Sequence, residues 1–240
     1  MMIKFGNTFP ITLIRHGESE CNRLNTVPSE ERTDLEEDFY KKICKSHLYG
    51  GDPPLTKEGR DQASLLGEKL VPIFEETIES DSDSKIKIFS SDLERASQTA
   101  AISLKKVCDT LNLNFEKMIS EIQYRSQLRA TVKHGSGRFS GVDFGNLIKE
   151  IGLELYFSSR SHFRHILVFC HVETIQDLVT HFSNLYKIVE TPEIKIRVSN
   201  CGIVTFSLTA GMLTFERLEK STVQFETMAL KRFKPFFGIF

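Results

Sequence analysis

The chain has 240 residues, 40% of them hydrophobic, and a formal net charge of -1. That length and apolar content suit a globular chain with a real core, the balanced charge excludes the basic excess of a general nucleic-acid binder, and no apolar run nears the ~18 residues of a membrane-spanning helix. The five cysteines, Cys21, Cys44, Cys108, Cys170 and Cys201, are scattered without a Cys-x-x-Cys pair, a pattern that reads as reduced thiols rather than a disulfide frame or a zinc site.

"FPITLI" (9–14) is short, β-branched and apolar, and predicts a buried strand. A polar stretch over 23–53 follows as an insert, with a helix in its middle and "YGGDPP" as its turn. From Leu55 the spacing becomes helical: Thr56 caps, and Ala63, Leu66, Leu70 and Phe74 recur on one face. "SDSDS" (80–84) is a surface loop, "IKIFS" (86–90) a second strand, and 92–111 a second helix opening with Asp92. "FEKMI" (115–119) reads as a third strand. Residues 120–164 have no clean period. "HILVFC" (165–170) is a fourth strand, followed at once by helix-like "VETIQDLVTHFSNLY". Residues 201–219 read as a hairpin turning at Ala210-Gly211. The aromatic tail "FKPFFGIF" is expected to pack on the body. The opening "MMIKFGNTFP" lacks the pattern of a signal peptide, so the expected location is cytoplasmic.

Strands alternating with helices predict an α/β chain: three layers, α/β/α, around a mostly parallel central sheet. In such sheets ligands sit beyond the carboxyl ends of the strands. Arg15, His16 and Gly17 follow strand one. Ser90 and Ser91 follow strand two, with Arg95 one turn into the next helix. Glu121 follows the expected third strand, and His171 the fourth. Taken singly, each has a bland reading: an arginine in a first helical turn is usually solvated, a loop glutamate exposed, a histidine after a strand structural. Together they predict one rim. Two guanidiniums match phosphoryl oxygens, helix N-termini add N–H groups, and a histidine whose pKa the arginines lower can attack phosphorus. A carboxylic acid near the leaving oxygen donates a proton and then takes one from water. No Gly-x-x-x-x-Gly-Lys loop or aspartate cluster is present, so no nucleotide P-loop, metal or cofactor is expected.

These pieces resemble the histidine phosphatase superfamily, the group that includes cofactor-dependent phosphoglycerate mutases. The resembling segments are "IRHGESECN" (14–22), "PLTKEGRDQA" (54–63), "SSDLERASQTA" (90–100), Glu121 in "SEIQY", "VFCHVETI" (168–175) and "SNCGIVTF" (199–206). They appear in the family's order. The resemblance implies a phosphoglycerate mutase-like fold over 1–240, with the 23–53 insert and a short lid at about 122–164. It implies that His16 becomes phosphohistidine, that Arg15, Arg95 and His171 complete a phosphate pocket with Asn22 as a further contact, and that Glu121 is the proton donor. The second histidine of the family is usually followed by a small residue; here Val172 stands there, which suffices if only its backbone N–H contacts phosphate. His171 stands 50 positions after Glu121, and the span between them contains no adjacent pair of arginines like the one with which the mutases grip a carboxylate. The expected function is therefore a metal-independent phosphatase acting on a phosphorylated small molecule or phosphoprotein. A phosphoglycerate mutase and a non-catalytic phosphate-ligand-binding module are the alternatives. The sequence names neither the substrate nor the oligomeric state.

Overall fold

The structure is a computed structural model and describes residues 8–45, 52–80, 85–129, 163–176, 196–209, 212–218 and 223–225. A six-stranded sheet runs in the order β3-β2-β4-β1-β6-β7. Its members are β1 (Thr8–Arg15), β2 (Lys85–Ser91), β3 (Gln123–Arg125), β4 (Phe163–Cys170), β6 (Ile203–Thr209) and β7 (Met212–Leu218). β1, β2, β3 and β4 pair in parallel, and β6 and β7 add an antiparallel hairpin beside β1. A separate pair, β5 (Ile196–Val198) and β8 (Val223–Phe225), is antiparallel.

The sheet follows from residue type. In β1, Ile11, Thr12, Leu13 and Ile14 are all buried, the signature of a strand covered on both faces. The polar member of that run is satisfied sideways: the Thr12 hydroxyl lies 2.8 Å from His165 Nε2 on β4 and 3.1 Å from Thr205 Oγ1 on β6. Hydrogen bonding of this kind is what allows a polar group into a core.

The expected helix after Leu55 is α3 (Lys57–Ser80). The Thr56 hydroxyl accepts the Gly59 N–H at 2.9 Å, and Ala63, Leu66, Leu70 and Phe74 are buried. α3 packs on α4 (Glu94–Leu111), and their apolar faces form one core with Ile88 of β2 and Leu167 and Phe169 of β4. Removing the Leu66 side chain from such a setting costs about 2–5 kcal/mol. α4 starts two residues later than expected, because Ser91, Asp92 and Leu93 form the turn out of β2.

Two expectations are corrected. "FEKMI" is not a strand but most of α5 (Phe115–Ser120). The Asn114 side chain caps it by accepting the Lys117 N–H at 2.9 Å, and Met118 and Ile119, both partly buried, pack against the core. A segment of five residues does not separate helix from strand by period alone; the cap decides. The third strand is Gln123–Arg125 instead.

The thiols are not all reduced: Cys21 and Cys44 form a disulfide, with Cα atoms 5.3 Å apart, while Cys108, Cys170 and Cys201 are free and buried. Cys21 lies on α1 (Glu20–Thr26). Cys44 ends a π-helical turn, Tyr40–Cys44, that continues α2 (Asp34–Phe39). The insert folds back because Arg32 donates to the Leu24 and Val27 carbonyls, pairs with Glu37 at 2.9 Å and stacks on Tyr40. That fold-back brings together two cysteines that are 23 positions apart in sequence. The pairing also removes the cysteine-based argument for a reducing compartment.

The expected loop over 81–84, most of the lid, the helix beyond Gln176, the hairpin turn Ala210-Gly211 and the aromatic tail lie outside the described residues. Among the described residues no helix is long and apolar enough to cross a membrane.

Candidate active site

β1 delivers Arg15 and His16 to the carboxyl edge of the sheet. Their backbones are locked on both sides. The His16 N–H donates to the Cys170 carbonyl at 3.0 Å, the Arg15 N–H to the Gly202 carbonyl at 3.0 Å, and the Cys201 N–H to the His16 carbonyl at 3.2 Å. The turn over 199–202 thus braces the end of β1, with Cys201 at a φ of 54°.

His16 is buried, and its Nδ1 lies 2.7 Å from the Gly17 carbonyl oxygen. A carbonyl accepts and never donates, so Nδ1 carries the proton and the Nε2 lone pair is left for chemistry. Burial, the Arg95 charge and then the Arg15 charge push this imidazole down to about 3, against a raising contribution from the Gly17 hydrogen bond. It is neutral across the physiological range.

Gly17 is required for proximity. A methyl added there would lie 2.5 Å from the Gly59 carbonyl oxygen, and one added at Gly59 would overlap the Glu18 carbonyl. The amino end of α3 therefore rests directly on the loop that carries His16. The Gly17 N–H donates to Thr99 Oγ1 at 3.0 Å, and that hydroxyl donates to the Arg95 carbonyl at 2.7 Å. Thr99 ties the His16 loop to the turn of α4 that bears Arg95. The sequence reading passed over it, and its signal was a hydroxyl residue four positions after Arg95, one helical turn on.

The rest of the pocket is cationic or neutral and desolvated. Arg15 Nη1 donates to the Val198 carbonyl, whereas its Nε is buried without a partner. Burial lowers the Arg15 pKa most, and the Glu173 and Cys201 charges raise it. Arg95 Nη1 lies 3.7 Å from Asp52, and burial is likewise the largest influence on it. Both remain cations, as arginine does in proteins. His171 is wholly buried, with its ring centroid 5.1 Å from that of His16, edge to face. Its Nε2 lies 2.9 Å from Ser91 Oγ, and its Nδ1 is buried without a partner. Burial first, then the charges of Arg95, His16 and Arg15, hold it well below 6.5.

Val172 begins a helix immediately after His171. The first helical bond runs from the Ile175 N–H to the His171 carbonyl, so the Val172 N–H is one of the amides a helix start leaves without an internal partner. Asn22 commits its Oδ1 to the capping box of α1 with Ser19, which leaves its amide N–H groups as the part that could meet an anion.

Arg15, His16, Arg95 and His171 are thus brought together, with Asn22 and Val172 on neighbouring helix starts. Glu121 is not brought to them. It is the exposed C-cap of α5, two residues before β3. β3 runs parallel to β2 with Ser91 opposite Arg125, so Glu121 lies toward the amino end of the strand, on the order of 10 Å below the edge that holds Ser91. Placing it at the carboxyl edge depended on reading "FEKMI" as a strand. The group that arrives just after β3 is Arg129, which makes hydrogen bonds of 2.7 and 2.6 Å to Asp92.

Two polar atoms, Arg15 Nε and His171 Nδ1, are therefore unpartnered and buried in the site that holds His16 and Arg95. Buried polar groups are normally hydrogen-bonded. The set has the chemistry of a site for an oxyanion, with an unprotonated imidazole nitrogen beside it.

Comparisons with known proteins bear on the fold and the family. No curated protein matches the sequence. Among solved structures, a phosphoglycerate mutase from Bacillus anthracis str. Sterne is similar in fold (TM-score 0.54, 17% identity, covering 89% of this chain and 94% of that one). So is a phosphoserine phosphatase from Entamoeba histolytica in complex with phosphoserine (TM-score 0.50, 16% identity, 89% and 98%), and so is a protein described as mycobacterial hydrolase 2 (0.51, 16%, 92% and 94%). The sequence profile of the histidine phosphatase superfamily (branch 1) matches residues 11–131, just over half of the chain and the part that carries Arg15, His16 and Arg95; with His171 set beside them by β4, the protein belongs to the histidine phosphatase superfamily.

Proposed function

We propose that the protein is a phosphatase that hydrolyses a phosphate monoester through a phosphohistidine on His16. The observation that carries this reading is the pairing of a neutral His16, its proton held on Nδ1 by the Gly17 carbonyl, with the unpartnered buried nitrogens Arg15 Nε and His171 Nδ1. In the first step the Nε2 lone pair of His16 forms a bond to phosphorus and the bond to the ester oxygen breaks. Its electron pair leaves on that oxygen, which takes a proton. In the second step water adds to phosphorus, gives up a proton, and the N–P bond returns its pair to Nε2. Arg15, Arg95, the His171 N–H and the Val172 amide hold the non-bridging oxygens as charge shifts among them, the kind of fixed electrostatic support that contributes most in a desolvated site.

The proton donor needs a carboxylic acid at this edge. Among the described residues, the carboxylates Glu18, Asp52 and Glu173 are the candidates. Glu18 accepts the Thr56 hydroxyl at 2.8 Å. Asp52 accepts the Glu94 N–H at 2.6 Å and faces Arg95. Glu173 is exposed, two residues after His171 in the first helical turn, and its charge acts on both Arg15 and Arg95. In this reading Glu173 replaces Glu121 as the acid and then the base.

The fold is shared by mutases and phosphatases, so it does not choose between them. The absence of an adjacent arginine pair between Glu121 and His171 favours hydrolysis. The phosphoserine bound by one neighbour makes small phosphorylated metabolites, along with phosphopeptides, the first substrates to screen. The decisive experiment is rapid acid and alkali quench with an aryl phosphate in EDTA. Phosphate release with an acid-labile, alkali-stable phosphoenzyme is expected, and His16→Ala should show neither. Activity lost to EDTA and restored by a divalent metal would reject the mechanism. Interconversion of 3- and 2-phosphoglycerate with negligible hydrolysis would make the protein a mutase, and phosphate binding without turnover would leave the binding module.

A further inference from the structure

His171 is neutral and buried, and a neutral imidazole offers one N–H and one lone pair. Which nitrogen holds the proton decides whether His171 attracts or repels a phosphoryl oxygen. Its Nε2 is occupied by Ser91 Oγ at 2.9 Å, so Nδ1, buried and unpartnered, is the nitrogen left for a ligand. Ser91 closes β2 at the site edge and is itself wholly buried. Its oxygen accepts the Leu93 N–H at 3.3 Å, the tight turn that leads into α4. A serine hydroxyl has one proton to donate, and the acceptor that the structure sets in its reach is His171 Nε2.

We propose that Ser91 is a positioning residue: by donating its hydroxyl proton to Nε2 it holds His171 as the Nδ1–H tautomer, so that an N–H rather than a lone pair is presented to the phosphoryl group. The opposite tautomer would turn the lone pair of Nδ1 toward an anion and leave the Ser91 proton without this acceptor. This assignment rests on the phosphoryl-transfer reading of the site for its purpose, though not for its geometry. The two histidines then share a tautomer and use it in opposite ways. The Gly17 carbonyl accepts the hydrogen bond from the His16 Nδ1–H and leaves Nε2 free to attack. The Ser91 hydroxyl takes the Nε2 lone pair of His171 and frees Nδ1–H to bind. Two rings 5.1 Å apart, both uncharged, thereby act as nucleophile and donor.

The test is long-range 1H–15N correlation NMR of the full chain labelled at histidine, with the His171 signals assigned by their loss in His171→Gln. The expected result is a protonated Nδ1 and an unprotonated Nε2 at His171 in the wild-type protein. In Ser91→Ala the Nε2–H form should gain population, and in Ser91→Thr, which keeps the hydroxyl, the wild-type pattern should return. A parallel measurement of orthovanadate binding should show a loss of about 10- to 100-fold in Ser91→Ala, the scale of one hydrogen bond to a charged acceptor, with recovery in Ser91→Thr. An Nε2–H tautomer at His171 in the wild-type protein overturns the proposal without any variant being needed. So does a tautomer unchanged by Ser91→Ala. An Nδ1–H tautomer that answers to Ser91 in a protein that hydrolyses no phosphate ester would uphold the assignment and count against the phosphatase reading instead.

Discussion

The two histidines, two arginines and one glutamate that the sequence nominated separate cleanly by how each is held. Arg15, His16 and His171 are fixed by backbone: each ends or directly follows a strand, so the ladder that builds the sheet also aims the side chain. Glu121 has no such guide. It caps a short helix and is exposed. The consequence is measurable. Glu121→Gln should hydrolyse both alkyl and aryl phosphates at close to the wild-type rate. Glu173→Gln should slow an alkyl phosphate by roughly 10²–10⁴-fold, the range of general acid–base help, while nitrophenyl phosphate, whose leaving group needs no proton, should keep a near-normal phosphorylation step and accumulate phosphohistidine. Because the substitution also removes a negative charge beside Arg15 and Arg95, KM should not rise. Steady-state and burst kinetics on the two variants check this. The reverse ranking, with Glu121→Gln the slow variant, would return the acid role to Glu121.

Secondary-structure elements place the site by contact rather than by charge. α3 contributes no catalytic side chain, yet its amino end touches the loop after β1 at Gly17 and Gly59, where neither position has room for a methyl group against backbone. Backbone atoms cannot rotate away as a flexible side chain can. Gly59→Ala should therefore displace the Glu18 loop, and with it His16. We expect a loss of about 1–3 kcal/mol, the usual cost of forcing extra atoms into a packed region, together with a fall in kcat larger than stability alone explains. Thermal denaturation and phosphoenzyme formation measured on one preparation check both parts. Wild-type phosphoenzyme levels in a destabilised Gly59→Ala would show that α3 supports the fold but does not position His16. The same logic explains Thr99, which reaches from α4 to the Gly17 N–H and keeps two elements from drifting apart at the point where Arg95 faces His16.

Among the described residues, the buried His16 and His171 and the half-buried His165 make stability depend on pH. His16 is held at about 3 and His165 at about 4 by burial; His171 lies well below 6.5. In the unfolded chain all three titrate near 6.5. Folding lowers these pKa values, so between about 6.5 and 4 the unfolded state binds more protons than the native one, and stability rises with pH. It is complete above about 6.5 and is lost as pH falls toward 4, at about 1.4 kcal/mol per pH unit for each group. Urea unfolding at pH 7, 6 and 5 should show this slope. His165→Gln, whose side chain lies outside the site against Thr12, should flatten it by about one group's share. A stability unchanged from pH 7 to pH 5 would show that these imidazoles are not buried neutral in solution.

Residue type and order sufficed for the strands β1, β2 and β4, for α3 with its Thr56 cap, and for the clustering of Arg15, His16, Arg95 and His171. Each of those follows from a local rule: a β-branched apolar run, a 3.6-residue period, a polar residue just past a strand. The position of Glu121, the disulfide and the contact between Ser91 and His171 did not follow, because each depends on distance between segments remote in sequence. The α5 cap at Asn114 turned an apparent strand into a helix and shifted β3 along the chain, which took Glu121 away from the edge. The fold-back around Arg32 brought Cys44 to Cys21. The parallel pairing of β2 with β4 set Ser91 against His171, 80 positions later. Local preference is written in neighbouring residues, whereas a proton's position or a sulfur's partner is settled by which surfaces meet when the core closes.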